Sequence, residues 1–221
     1  MTRDPQRSGS RAGLVDCGNW GVSAAWSVPP TATSGIYIAK LVREDPEDGR
    51  ASHVPFIVRD NEGGSDLLFQ ATDTTWQAYN TYGGNSLYFG SPAGRAYKVS
   101  YNRPFTTRCC DFPNGSTATW LFTTEYPMLR WLERNGYDVS YSSGIDTDRF
   151  AAHLLQHRVF MPVGHDEYWS GARRANVEAA RAAGVHIAIF SGNTGFWKTR
   201  WENSIDGSGT PYRTLVCYKE T

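Results

Sequence analysis

The rhythm of hydrophobic and polar positions changes near residue 66. Before it, three β-branched or aromatic runs, Gly21–Val28, Gly35–Val42 and His53–Arg59, are separated by turn clusters such as Pro29-Pro30 and Glu44–Gly49. That alternation is the signature of strands joined by loops. Three strands without a helix bury little apolar surface. Residues 14–60 therefore read as a β-rich lead-in, or as the end of a β-domain. Residues 1–13 are polar and rich in Gly, Ser and Arg, and read as a disordered tail.

From Asp66 onward, compact apolar runs alternate with helical spacing. Asp66–Gln70 (DLLFQ) suits a central parallel strand. The spacing of Tyr126, Leu129 and Leu132 predicts a helix over Thr123–Asn135, with Thr124 as N-cap, Pro127 in the first turn and Gly136 as its stop. Strand Tyr137–Ser142, helix Thr147–Gln156, strand Arg158–Val163, helix Ser170–Ala183 closed by Gly184, and buried strand Val185–Phe190 follow, with a last strand at Tyr212–Tyr218. Alternating elements with apolar strands predict an open, mostly parallel α/β sheet over 61–221, with helices on both faces. In such sheets ligands bind beyond the carboxyl ends of the strands. Trp76–Gly84, Gly164–Trp169 and Ser191–Trp197 lie there, and are expected to converge.

Charge and cysteine content narrow the functional classes. The 22 basic and 22 acidic residues cancel, so nothing in the balance favours nucleic acid or an anionic membrane as partner. No run approaches the ~18 apolar residues of a membrane span, and Met1–Gly13 lacks the apolar stretch of a secretory signal. Cys17, Cys109, Cys110 and Cys217 contain no CxxC pair. Adjacent Cys109 and Cys110 read as loop thiols, with a thiol metal site as the weaker alternative. GxSxG, Walker and dinucleotide glycine motifs are absent.

Chemistry-bearing residues cluster in four segments. Gly164-His165-Asp166-Glu167-Tyr168-Trp169 puts a histidine and an acid two residues apart in a strand-to-helix turn. Glu167 is placed to bind a metal and His165 to move protons, both are ligands, or the pair is a helix cap and a carbonyl-bonded histidine. Tyr79-Asn80 and Tyr101-Asn102 each join a tyrosine to an asparagine near turn-formers. Phenolate is a hard ligand suited to ferric iron; the alternative is an amphipathic aromatic with a hydrogen-bonded hydroxyl. In Ser191-Gly192-Asn193-Thr194-Gly195, Asn193 either orients a substrate carbonyl or water, or takes a left-handed turn. Lys198, Arg200, Arg213 and Lys219 read as solvated or paired surface charges.

WQAYN with the following YGG, SYNRP, EYPMLRWLERNGYDVSY, VGHDEYW and FSGNTGFWKTRW occur in that order. Together they resemble the N,N-dimethylformamidase large (beta) subunit family, from about Ser34 to Thr221. The resemblance implies a class I glutamine amidotransferase-like (flavodoxin-like) catalytic domain, continuing beyond Thr221. It also implies a mononuclear iron held by two tyrosines and a glutamate. The glutamate maps to Glu167, the first tyrosine to Tyr79 and the second to Tyr101, with Tyr82 in reserve. His165 becomes general base or proton shuttle, and Asn193 orients the carbonyl or water. Asp166 stands where dimethylformamidase has proline. The activity implied is hydrolysis of a C–N amide bond in a small molecule, with a further domain or subunit completing the site. The competing reading is a non-catalytic amidotransferase-like module that binds a ligand or carbohydrate.

Overall fold

A computed structural model of the chain describes residues 6–7, 14–44, 51–90, 94–106 and 120–219. Cys109, Cys110 and most of the expected N-terminal tail lie outside them. Gln6–Arg7 form β1, which pairs antiparallel with β2 (Val15–Asp16). Gly21–Val28, expected as a strand, is irregular. Its two prolines remove backbone donors just beyond it, and Trp26 packs instead as a side chain against Tyr37 and Phe56. β3 (Gly35–Val42) and β4 (Ala51–Val58) form an antiparallel hairpin. The hairpin leans on the rest of the molecule through Ile36 and Ile57.

β5 (Leu67–Gln70) leads directly into α1 (Asp73–Tyr79), and β6 (Lys98–Ser100) follows. The single helix expected over Thr123–Asn135 is two, α2 (Leu121–Thr124) and α3 (Tyr126–Arg134), broken at Glu125. After β7 (Val139–Ser142), the next helix is also divided, into α4 (Gly144–Arg149) and α5 (Ala151–Leu154). Ser143 and Asp146 form a capping box at the start of α4. β8 (Val159–His165) and β9 (Tyr168–Ser170) precede α6 (Gly171–Ala182), whose N-cap Ser170 accepts from the Arg173 amide. The chain ends its regular structure with β10 (His186–Ile187), β11 (Phe190–Gly192), β12 (Trp197–Glu202) and β13 (Thr214–Val216).

The molecule is mixed α/β. β7, β5, β8 and the edge pair β10 and β11 form a five-stranded parallel sheet. Alternation along β5 sets its two faces: Leu67 and Phe69 pack with Leu132 of α3, whereas Leu68 packs with Leu154 of α5 and Val177 of α6. Val185–Phe190 is not one buried strand; it splits at Ala188-Ile189, and Ile189 and Phe190 are about half exposed at the sheet's edge. A second, four-stranded sheet, unforeseen in the sequence, runs β6-β13-β12-β9, with only the β12–β9 pair parallel.

Candidate functional site

β8 ends in a turn that only glycine can begin. Gly164 has φ +107°, and a Cβ there would lie 2.7 Å from Glu125 Cγ. The turn throws His165, Asp166 and Glu167 between the two sheets. A strand, β9, separates them from α6, so the expected position immediately before the helix N-terminus does not occur.

Glu167 is the hub. Its side chain is 4% exposed. Tyr79, the last residue of α1, donates its hydroxyl to Oε2 at 3.0 Å, and Tyr88 donates a short hydrogen bond to Oε1. The two phenol rings lie 4.2 Å apart. His165 Nε2 is 3.6 Å from Oε2 and 3.1 Å from Nδ2 of Asn193, whose backbone adopts φ +49°. With the Asn193 amide donating, Nε2 carries a lone pair and Nδ1 a proton; Nδ1 is buried with no partner among the described residues. The ends of β5–α1, β8 and β11 thus deliver Tyr79, His165, Glu167 and Asn193 to one place.

Burial, reinforced by the neighbouring phenol and carboxylate, raises the Tyr79 pKa far above its ordinary value. Burial and the hydrogen bond to Glu167 push Tyr88 up to about 12. Both phenols are therefore neutral hydrogen-bond donors to Glu167. Lys219 also meets Tyr88: its buried Nζ lies 3.0 Å from the ring centroid and has no hydrogen-bond partner among the described residues. Desolvation lowers its pKa to about 8, against the pull of Glu167. This corrects the reading of Lys219 as a surface charge. Tyr88 carried no sequence signal: it is one of twelve tyrosines in the chain and lies outside the quoted motifs.

Tyr101 goes elsewhere. Its hydroxyl donates to Asp73 Oδ2 at 2.8 Å, and its ring packs on Trp201 at 5.3 Å. Its backbone, just past β6, is tied to Arg213 across the second sheet, which turns the side chain to α1. Tyr82 lies against Trp20. The two motif asparagines are loop braces: Asn80 Oδ1 accepts from the Thr106 amide, while Asn102 accepts from Arg213 and donates to Asp16.

Asp166, fully buried, closes an ion pair with fully buried Arg173 of α6 and accepts from Trp169 Nε1 at 2.9 Å. Its own amide donates to Ser191 Oγ at 2.7 Å, and its carbonyl accepts from the Gly195 amide at 2.9 Å. Asp166 thus ties the His165–Glu167 turn to the Asn193 turn.

Among the described residues no three His, Cys, Asp or Glu side chains gather as a metal site. The oxygen set of Tyr79, Tyr88 and Glu167 is of another kind, one acid with two phenols. It fits a hard, highly charged cation: both phenol hydroxyls already sit on the buried Glu167 carboxylate, and releasing two phenol protons would supply the negative charge.

A chain arranged in this way has recognisable relatives. It is 23% identical to the N,N-dimethylformamidase beta subunit of Alcaligenes sp, in an alignment of 220 residues covering 83% of this chain and 28% of that protein. The chain therefore spans just over a quarter of that relative's length. The family model described as N,N-dimethylformamidase beta subunit-like, C-terminal, matches residues 2–221, and the chain belongs to that family.

Proposed function

We propose that this chain carries the reaction centre of an iron-dependent hydrolase acting on a C–N amide bond of a small molecule. The observation that carries the reading is the meeting of the Tyr79 and Tyr88 hydroxyls on the two oxygens of Glu167. In this reading Tyr79, Tyr88 and Glu167 hold the iron, with Tyr88 in the place first assigned to Tyr101. Ferric iron held there would polarise an amide carbonyl and acidify water.

The chain's own groups do the rest. His165 Nε2 faces the oxygen cluster and accepts the proton of the attacking water; the same imidazolium returns it to the departing amine nitrogen. Water adds to the carbonyl carbon, the C–N bond breaks, and a carboxylic acid and an amine leave. The Asn193 amide, 3.1 Å from Nε2, holds the imidazole in place until Nε2 takes the water proton, and then turns its donor to the carbonyl oxygen. Lys219 sets a positive charge against the Tyr88 ring, offsetting the negative charge that the acid and phenolates bring.

The domain assignment, 61–221 as an amidotransferase-like unit with 14–60 as its lead-in, belongs to the same proposal. A further domain or subunit completes the pocket. Support comes from the relative, which is named a beta subunit and is much longer than this chain. No helix among the described residues is long and apolar enough to cross a membrane.

The test is iron content and visible absorption of the purified chain, followed by hydrolysis of N-substituted formamides and acetamides. Near-stoichiometric iron with a tyrosinate-to-iron band, and amine release lost in His165→Ala, are expected. A chain that stays colourless and metal-free after iron reconstitution overturns the reading.

A further inference from the structure

A second cavity lies at the other end of β9 from Glu167. Its volume is about 420 Å3, and Asp148, Ser170, Gly171, Trp201, Asn203 and Tyr212 line it. That size falls within the roughly 300–1,000 Å3 of small-molecule sites.

Asp148 is nine-tenths buried. Its Oδ2 is occupied, accepting a short bond from the Ser170 hydroxyl and one of 3.2 Å from Trp201 Nε1. Its Oδ1 has no donor among the described residues, and the residue lines the cavity. Opposite this acceptor stands the start of α6. The Ser170 cap satisfies the Arg173 amide, while the amides of Gly171 and Ala172, in the first turn, have no acceptor within the helix. Both residues line the cavity, and a Cβ on Gly171 would meet no atom within 4 Å. The wall is aromatic: Trp201 and Tyr212 pack at 5.9 Å, with Tyr212 held at φ +59°.

The charges around this cavity disfavour ionic ligands of either sign. Glu202 is already paired with Lys98 and Arg200, which leaves the Asp148 carboxylate to repel a phosphate or carboxylate from the helix start. The positive end of α6 repels an ammonium, and the Arg149 guanidinium already covers the Tyr212 ring at 4.8 Å. What remains is a neutral group that donates and accepts at once and presents C–H surface to aromatic rings. We infer that this cavity binds a saccharide, a pyranose hydroxyl donating to Asp148 Oδ1 and accepting from the first amides of α6, with its apolar face on Trp201. The inference is independent of the iron reading, because none of these residues touches Glu167.

The test is saturation-transfer NMR and titration calorimetry on the full chain with glucose, galactose and N-acetylglucosamine. Inorganic phosphate and tetramethylammonium serve as charged controls. Transfer to ring C–H protons of at least one sugar is expected, at millimolar affinity, with neither control competing. Gly171→Leu fills open space at an exposed helix start and should weaken binding at least tenfold without moving Tm. Asp148→Asn keeps an acceptor for Ser170 and Trp201 but turns an amide donor to the cavity, and should do the same. Iron content should be unchanged in both. No transfer from any of the three sugars, transfer untouched by Gly171→Leu, or displacement by either control overturns the inference.

Discussion

Tyr88 follows Tyr79 by nine residues in the chain, and the two rings lie 4.2 Å apart with their hydroxyls on opposite oxygens of Glu167. The pair makes Glu167 a bridged carboxylate, which Tyr101 does not share. Tyr79→Phe and Tyr88→Phe should each lower iron content at least tenfold and remove the visible band, while Tyr101→Phe keeps both. Metal analysis of the three variants decides it; loss of iron in Tyr101→Phe alone would return the second ligand to that residue.

Asp166 and Arg173 form an ion pair with side chains 0% and 1% exposed. Removing one partner strands a charge in the core, which costs about 3–5 kcal/mol. Arg173→Met should therefore lower the urea midpoint sharply. Pairing it with Asp166→Asn should restore part of the loss, since the stranded carboxylate is gone. A double variant no more stable than the single one would mean the pair contributes by packing alone.

Gly164 combines φ +107° with a Cβ position already occupied by Glu125. Gly164→Ala adds backbone strain of about 1–3 kcal/mol to a steric clash. It should lower Tm and also displace His165 and Glu167, so that iron is lost in the fraction that stays folded. Circular dichroism melts with metal analysis separate the two effects.

Glu125 is fully buried, accepting from the Thr72 amide, the Thr72 hydroxyl and Trp76 Nε1. Desolvation outweighs these bonds and raises its pKa from an ordinary 4.5 to about 8. The unfolded chain loses that proton near pH 4.5 and the folded one near pH 8. The stabilisation is therefore complete below 4.5 and is lost as pH rises to about 8, at no more than about 1.4 kcal/mol per pH unit. Glu125→Gln should flatten this decline, measured as denaturation midpoints at pH 5 and pH 8. An unchanged slope would assign the decline to other groups.

Legibility in the sequence followed local apolar patterning. β3 was exact, and β5, β7, β8 and α6 were located to within a few residues, because each shows an apolar run or stripe against polar flanks. α1 was not anticipated: Asp73 through Ala78 are all buried, so no amphipathic stripe exists, and consecutive threonines argue against a helix. β13 falls inside the strand expected at Tyr212–Tyr218, but the second sheet as a whole escaped because β6 and β9 are three-residue strands, too short for a period to register. In the site, Tyr79, His165, Glu167 and Asn193 follow strands or α1 and could be inferred to converge. Tyr88 and Lys219 arrive from irregular segments, and their place depends on tertiary packing that no local pattern encodes.

The chain passes from the parallel sheet straight to the mixed one between β8 and β9 and again between β11 and β12, and Asp166 stitches these two crossings together. His165, Glu167 and Asn193 all stand on these crossings. An ion held by Glu167 and its phenols, as proposed, would therefore also be a rivet through both layers. It would draw α1, the end of β8 and the β11 turn into a single mechanical unit, so occupancy at the seam would be felt as stiffness far from the chemistry.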